Sequence, residues 1–347
     1  MKKFTSILVV LSLLVFVVVF GHSTIAVAKA YKWKACMGMA YAKGYRPVEK
    51  FINAVETAMD GQIEIQAFQP GEHPYSPGDV LKAVRDGIMQ IGFTTSLYTQ
   101  GIMPQMGLQD LPFLFGSPEE FLAMMEDPEF RDVFDYILGT PLEKWNQIPI
   151  SWFAYGGYMF AGPSWVDDFK SWEGLRIRVY SKPMAEMIKL FGAVPVNVTW
   201  AEVYTALQRK MIDGFMTATA GAYPAKLYES VKWVTINDYS VGLHWLTVNK
   251  DAFNELPQDL QEKFMKACKD NAKILQDDYF LEDARTIKLS MKNNGARFKY
   301  MDPKFREEVR SKMKPQWMDW AKTAGSDADT MVKRADTYHT KYGKSSK

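Results

Sequence analysis

"LKAVRDGIMQIGFTT" (81–95) and "YTALQRKMIDGFMTA" (204–218) carry the same pattern in the two halves of a 347-residue chain. In each, apolar residues recur at helical spacing, an Asp-Gly turn follows, and a short apolar run closes on threonine. A helix, a turn and a buried strand in that order belong to sheets with helices packed on their faces. Two such units far apart in the chain predict two α/β lobes of similar build. The likeness is architectural and requires no internal duplication.

The flanking sequence extends each unit. "YKWKACMG" (31–38) reads as a strand, "YRPVEKFINAVETAMDG" (45–61) as an amphipathic helix stopped by Gly61, and "QIEIQAF" (62–68) as a second strand. "SPGDVLKAVRDG" (76–87) reads as a helix capped by Ser76 with Pro77 in its first turn, and "MQIGFTT" (89–95) as a third strand. In the second half "LRIRV" (175–179) is a strand, "KPMAEMIKLFG" (182–192) a helix, "VPVNV" (194–198) a strand, and "WAEVYTALQRKMIDGFMTA" (200–218) a helix running into a strand. Strands alternating with helices predict parallel sheets. Between the halves lies "SWFAYGGYMFAGPSW" (151–165), where Gly156-Gly157 is the natural hinge. A second crossing is expected in "NDYSVGLHWLTVNK" (237–250). From Gln258 to Asn293 the chain has no proline or glycine, so a long helix there could span both lobes. The tail reads as two further helices. The expected organisation is lobe I over 31–154 plus about 242–280, and lobe II over 155–241 plus about 281–343, with the helix over 258–293 joining them.

The start of the chain is different. "MKKFTSILVVLSLLVFVVVFGHSTIAVAKA" has Lys2 and Lys3, an apolar run from Ile7 to Phe20, and small residues at Ala26, Ala28 and Ala30. That is the layout of a secretory signal over residues 1–28, cleaved after Ala28 or Ala30. The apolar run is shorter than the roughly twenty residues of a membrane span. A soluble protein exported to the periplasm is therefore expected. Without Lys2 and Lys3 the basic and acidic residues balance, which argues against nucleic acid as a partner. Cys36 and Cys268 could pair in an oxidising compartment or remain two buried thiols.

The sequence offers no sign of catalysis. His73, His244 and His339 stand apart without metal-ligand spacing, and no G-x-S-x-G, G-x-G-x-x-G or H-E-x-x-H occurs. Asp277-Asp278 sits on the long helix and reads as a solvated face. The expectation is a binding protein, not an enzyme, with no cofactor and no metal. Two α/β lobes, a glycine hinge and an export signal describe a periplasmic binding protein that closes on its ligand. Ligands of open α/β sheets bind beyond the carboxyl ends of the strands. "GLRIRVYSKP" (174–183) places Arg178 at such an end, with no acidic residue following until Glu186. An arginine there predicts an anion supplied from outside the chain.

"DLPFLFGSPEEF" (110–121), "WEGLRIRV" (172–179), "FGAVPVNVTWAEVYTALQRKMIDG" (191–214) and "LPQDLQEKFMKA" (256–267) resemble the solute-binding subunits of tripartite ATP-independent periplasmic (TRAP) transporters. The resemblance implies a carboxylate held by a bidentate salt bridge at Arg178, which suits the planar guanidinium fork. It also implies, as partners, a small and a large membrane permease subunit driven by an ion gradient. Arg176 falls where the family often has an exposed lysine, so a surface role is expected. Two positions depart from the family pattern. Tyr158 follows the hinge glycine where many members have a second arginine, and Thr217 stands where they have an asparagine. These departures predict an organic acid with one anionic group, carboxylate or sulfonate. Phe153, Tyr155 and Trp200 are further wall candidates, as are Thr95 and Ser96 at the end of the third strand and Tyr41 after the first. Glu202, three residues after Thr199, is expected to form a capping box. A monomer is expected, although pairing through a long C-terminal helix occurs in the family. Three other functions remain open on sequence alone: binding for an ATP-driven importer, periplasmic sensing, and a secreted enzyme using Glu202 or an aspartate on a small carboxylate.

Overall fold

Helical and extended segments alternate through most of the chain, and their burial follows their periodicity. The computed structural model describes residues 30–39 and 46–343; the expected signal over 1–28 and the candidate Tyr41 lie outside the described residues. The first half runs β1 (Tyr31–Met37), α1 (Pro47–Ala58), β2 (Ile63–Phe68), α2 (Val80–Arg85), β3 (Ile91–Thr95), α3 (Pro118–Glu126) and β4 (Gln147–Tyr155). After the hinge come β5 (Tyr158–Gly162), β6 (Arg176–Val179), α4 (Lys182–Leu190), β7 (Val194–Asn197), α5 (Val203–Gln208), β8 (Gly214–Ala218) and β9 (Trp233–Ile236). The chain then returns through β10 (Gly242–Asn249), α6 (Gln258–Asn271), α7 (Lys273–Asn294), β11 (Arg297–Tyr300), α8 (Pro303–Ala321) and α9 (Ala328–Tyr342).

Helix α1 buries Val48, Phe51, Ile52 and Val55, a stripe at helical spacing. Strand β2 buries Ile63 and Ile65 while Glu64 and Gln66 face out, as an edge strand should. Five strands form one sheet in the order β2-β1-β3-β10-β4, and six form the other in the order β11-β9-β5-β8-β6-β7. The architecture is two-lobed α/β.

The pairing corrects the expectation of parallel sheets. It is parallel across β2-β1-β3 and across β7-β6-β8, but antiparallel where β10 meets β3 and β4 and where β5 meets β8 and β9. The exceptions are the strands that cross between the sheets. Tyr155, the last residue of β4, pairs with Gly242, the first of β10, so one strand leaves the first sheet where the other enters it. A strand that enters from the hinge end must run against its neighbour.

Two helices also differ from expectation. The helix expected over 76–87 covers only Val80–Arg85, because the Ser76 hydroxyl donates to the Asp79 carboxylate at 2.5 Å and leaves the residues before Val80 in a turn. The long helix is present as α6 and α7, separated only by Ala272, whose backbone stays helical. It reaches both lobes: Gln276 bonds to β4, and Asn293 donates to the hydroxyl of Tyr223, in the turn after β8, at 2.7 Å. The tail crosses back over the first half, where the Trp317 indole donates to the Pro112 carbonyl at 2.8 Å. Cys36 and Cys268 are buried free thiols. Among the described residues no helix is long and apolar enough to cross a membrane.

Candidate functional site

The hinge is built around Gly157. Its φ of +60° suits glycine, and a Cβ there would lie 2.4 Å from Asp283 Oδ2 and 2.7 Å from Thr219 Oγ1. The Tyr158 carbonyl accepts from the amides of Asn237 and Asp238, both at 3.0 Å, so the two crossings are bonded to each other. Both buried carboxyls beside this junction are pushed up by desolvation, Asp238 to about 7 and Asp283 to about 6.

A cavity of about 130 Å³ opens where the crossings meet the two lobes. Tyr155 and Tyr158 flank the hinge glycines, Tyr180 follows β6, and Tyr239 lies in the second crossing; all four line the cavity. Their rings form a chain: Tyr155 and Tyr158 have centroids 5.9 Å apart, Tyr158 and Tyr239 4.8 Å. The hydroxyls of Tyr180 and Tyr239 are 3.1 Å apart. Burial raises the pKa of each phenol, so all four are neutral hydrogen-bonding groups. Asp110 and Gln100 enter from the first half of the chain and Trp320 from α8. The Gln100 amide donates to the Asp110 carboxylate, and the hydroxyls of Ser96 and Ser240 lie beside that carboxyl. Desolvation outweighs these bonds and pushes Asp110 up to about 7.

The two arginines of β6 have opposite fates. Arg176 is half-exposed and pairs with Asp213 through two side-chain bonds, at 2.9 and 2.7 Å. The surface role expected for it holds, with a partner that local sequence did not suggest. Arg178 is only 5% exposed and has no acidic partner among the described residues. Its Nε donates to the Val198 carbonyl at 3.1 Å and Nη1 to that of Met216 at 3.4 Å. The guanidinium lies 4.8 Å from the Tyr180 ring centroid and 5.6 Å from that of Trp200. Burial lowers its pKa, and the phenols of Tyr239, Tyr180 and Tyr158 oppose the shift. Arg178 therefore stands one aromatic layer from the cavity, behind Tyr180.

The other candidates separate into two groups. Tyr155 and Tyr158 line the cavity, and Thr95 and Ser96 are buried just behind the lining: Thr95 Oγ1 is 3.4 Å from the Tyr155 hydroxyl and donates to the Leu243 carbonyl at 2.9 Å, and the Ser96 hydroxyl lies beside the Asp110 carboxyl. Trp200 joins through Arg178. Phe153 does not line the cavity; it is fully buried between Phe93, His244 and Tyr279 in the core of the first lobe. It lies two residues before Tyr155 on the same face of β4, one step deeper into the sheet. Thr217 is half-buried on β8 and is not part of the lining. His244 is buried against Tyr155, with its pKa lowered to about 3 by desolvation, and so remains neutral. The capping box expected at Thr199 is replaced by a direct bond from its hydroxyl to the Glu202 carboxylate at 2.6 Å. Sequence reasoning did not single out Asp110, Gln100, Tyr180, Tyr239 or Trp320. Tyr180 was signalled by its place two residues after Arg178, and Tyr239 by the second crossing. Asp110 and Trp320 reach the cavity only through tertiary packing.

With this geometry in hand, similarity to known proteins can be placed. The architecture is shared with solved two-lobed receptors. One is DctP7 of Bordetella pertussis, an extracytoplasmic solute receptor binding pyroglutamic acid; it is 20% identical, covers 89% of this chain and 100% of that one, and gives a TM-score of 0.71. Another is a TRAP periplasmic solute-binding protein from Sulfitobacter sp. NAS-14.1 with bound β-D-galacturonate, 19% identical over 88% of this chain and 99% of that one, TM-score 0.71. The family described as bacterial extracellular solute-binding protein, family 7, matches residues 42–323, and the chain belongs to it. Among curated relatives, the ectoine/5-hydroxyectoine-binding periplasmic protein UehA of Ruegeria pomeroyi is 26% identical over 63% of this chain and 64% of its own length. The chain spans between 54% and 66% of the length of the first curated relatives it matches.

Proposed function

We propose that this protein is the extracytoplasmic solute-binding subunit of a TRAP transporter, capturing an organic acid with one anionic group between its lobes. One observation carries this proposal: Arg178 is buried without a carboxylate while Arg176, two residues away, has one. A buried guanidinium without a counter-charge is costly, and a ligand carboxylate supplies that counter-charge with matching geometry. Lobe closure excludes water and strengthens the bond. Tyr158 in place of a second cation, and Asp110 in the cavity wall, both disfavour a second anionic group on the ligand. Pyroglutamate and galacturonate, bound by the two structural neighbours, each carry a single carboxylate. Family membership supports a periplasmic location and delivery to small and large membrane permease subunits; removal of the leader near Ala28 or Ala30 and a monomeric state belong to the same proposal. Capture without chemical conversion is the activity proposed.

The test is a thermal-melt screen of the mature protein, stripped of co-purified ligand, against dicarboxylates, monocarboxylates, hydroxy acids, keto acids and sulfonates. Ligand at 100 times its dissociation constant adds about 2.7 kcal/mol, enough to shift the melt by several degrees. A monoanionic acid should give the largest shift and lose it in Arg178→Ala. A winning dicarboxylate would overturn the single-anion assignment, and a hit indifferent to Arg178 would overturn the anchor.

A further inference from the structure

Two groups at this site lack an opposite charge among the described residues. One is Arg178. The other is Asp110, whose neighbours at the carboxyl are the Gln100 amide and the hydroxyls of Ser96 and Ser240, all neutral. No ion pair joins the two. Both nevertheless act on the same phenols: the charge of Arg178 is felt at Tyr158, Tyr180 and Tyr239, and that of Asp110 at Tyr155, Tyr158, Tyr180 and Tyr239. A cation and an acid thus flank one tyrosine cluster, with the cavity on the side of the acid.

We infer that the ligand is a small zwitterion, its carboxylate held by Arg178 once the Tyr180 ring that separates the guanidinium from the cavity turns aside, and its N–H-bearing cationic nitrogen held by Asp110 and the surrounding phenol oxygens. The inference rests on Arg178 as anion anchor and adds the second half of the recognition. The site carries one group of each sign without a counter-charge, Arg178 buried and Asp110 half-buried in the cavity wall, so a ligand with one charge of each sign compensates both. A plain or hydroxylated monoanion satisfies only Arg178 and leaves Asp110 to take up a proton or remain a half-buried charge with neutral neighbours only. Phenol oxygens and a carboxylate accept N–H bonds, which matches the polar edge of the cavity. A cavity of about 130 Å³ limits the ligand to roughly one small ring or an amino-acid skeleton.

The protonation of Asp110 gives this inference a readout of its own. Desolvation pushes its carboxyl up to about 7. The groups facing it are the phenols of Tyr155, Tyr158, Tyr180 and Tyr239, all neutral at that pH, besides Gln100, Ser96 and Ser240. An arriving cation favours the carboxylate and expels the proton, whereas a neutral hydroxyl does not.

The experiment is isothermal titration calorimetry of the stripped mature protein at pH 7, in two buffers of different ionisation enthalpy. The probes are small amino acids, each paired with the hydroxy or ether acid of the same skeleton: alanine with lactate, valine with 2-hydroxyisovalerate, proline with tetrahydrofuran-2-carboxylate. An amino acid should bind at least about 30-fold more tightly than its nitrogen-free partner. It should also release about half a proton near pH 7. Asp110→Asn should bring that ratio near one; proton release in the parent protein keeps the test valid if the variant folds poorly. A nitrogen-free acid that binds as well as its partner, or binding without proton release, overturns the zwitterion. If that acid still needs Arg178, anion capture survives alone. If an amino acid binds Arg178→Ala as tightly as the parent, the anchor fails and the Asp110 assignment stands. Silence from both this panel and the organic acids overturns both.

Discussion

Gln276 closes the free edge of β4 at Ala154. Its Oε1 accepts from the Ala154 amide and its Nε2 donates to the Ala154 carbonyl, both at 2.9 Å. Strand β4 is an edge of its sheet, so one side chain of α7 does there what a further strand would do, one residue before the hinge tyrosine. Gln276→Ala should orphan both main-chain groups and cost about 2 kcal/mol. A melting temperature lowered by several degrees in differential scanning calorimetry is the expected result; an unchanged value would mean water replaces the amide without loss.

Gly157→Ala should be more damaging. The positive φ alone costs about 1–3 kcal/mol in a non-glycine residue. The new methyl must also displace Asp283 or Thr219, which are bonded to each other. Adding Asp283→Ala should recover only the Asp283 share of the steric part, since Thr219 Oγ1 still lies 2.7 Å from the added Cβ, and none of the backbone part. Melting temperatures of the single and double variants measure both, and full recovery would show that the backbone conformation is not what requires glycine.

The β6 arginines should separate stability from binding. Arg178→Ala should weaken ligand binding by roughly two to three orders of magnitude. Arg178→Lys, which keeps the charge and loses the fork, should weaken it about tenfold. Arg176→Ala should leave affinity unchanged and barely move the melt, because its ion pair with Asp213 is largely solvated. Equal losses in both alanine variants would count against an anion at Arg178.

The buried acids set a pH dependence with a definite sign. Asp238 titrates at about 7 and Asp283 at about 6 in the folded protein, against about 3.9 for an unfolded aspartate. The folded state therefore holds more protons between those values, and stability falls as pH rises through them. His244 acts in the other direction, but only below its unfolded pKa of about 6.5. Between pH 6.5 and 8 the carboxyls should dominate. Asp238→Asn removes one of them, so its melting temperature relative to the parent should climb from pH 5 to pH 8. A difference that stays flat across that range would show that Asp238 is solvated and titrates normally.

The repeated helix–turn–strand units made two α/β lobes legible in the sequence, since burial follows period directly. Strand direction was not legible for β4, β5 and β10, because it depends on where the chain re-enters a sheet. The same division holds at the site. Arg178, Tyr155 and Tyr158 were visible from strand ends and hinge glycines, which local pattern fixes. Asp110 lies within a legible motif, but its character was not legible there, because desolvation by parts of the chain distant in sequence sets it. For Phe153, period two gives the face of β4 and not the depth, which is why a wall residue expected from the sequence lies in the core.

Trp320 is the single tryptophan among the residues lining the cavity, and it is supplied by α8, far along the chain from the hinge. An indole in that wall changes its surroundings whenever the cavity fills. The molecule thus carries an intrinsic fluorophore at its candidate site. Trp320→Phe separates its emission from that of the other tryptophans, so occupancy can be followed in real time, without a label, on the unmodified protein.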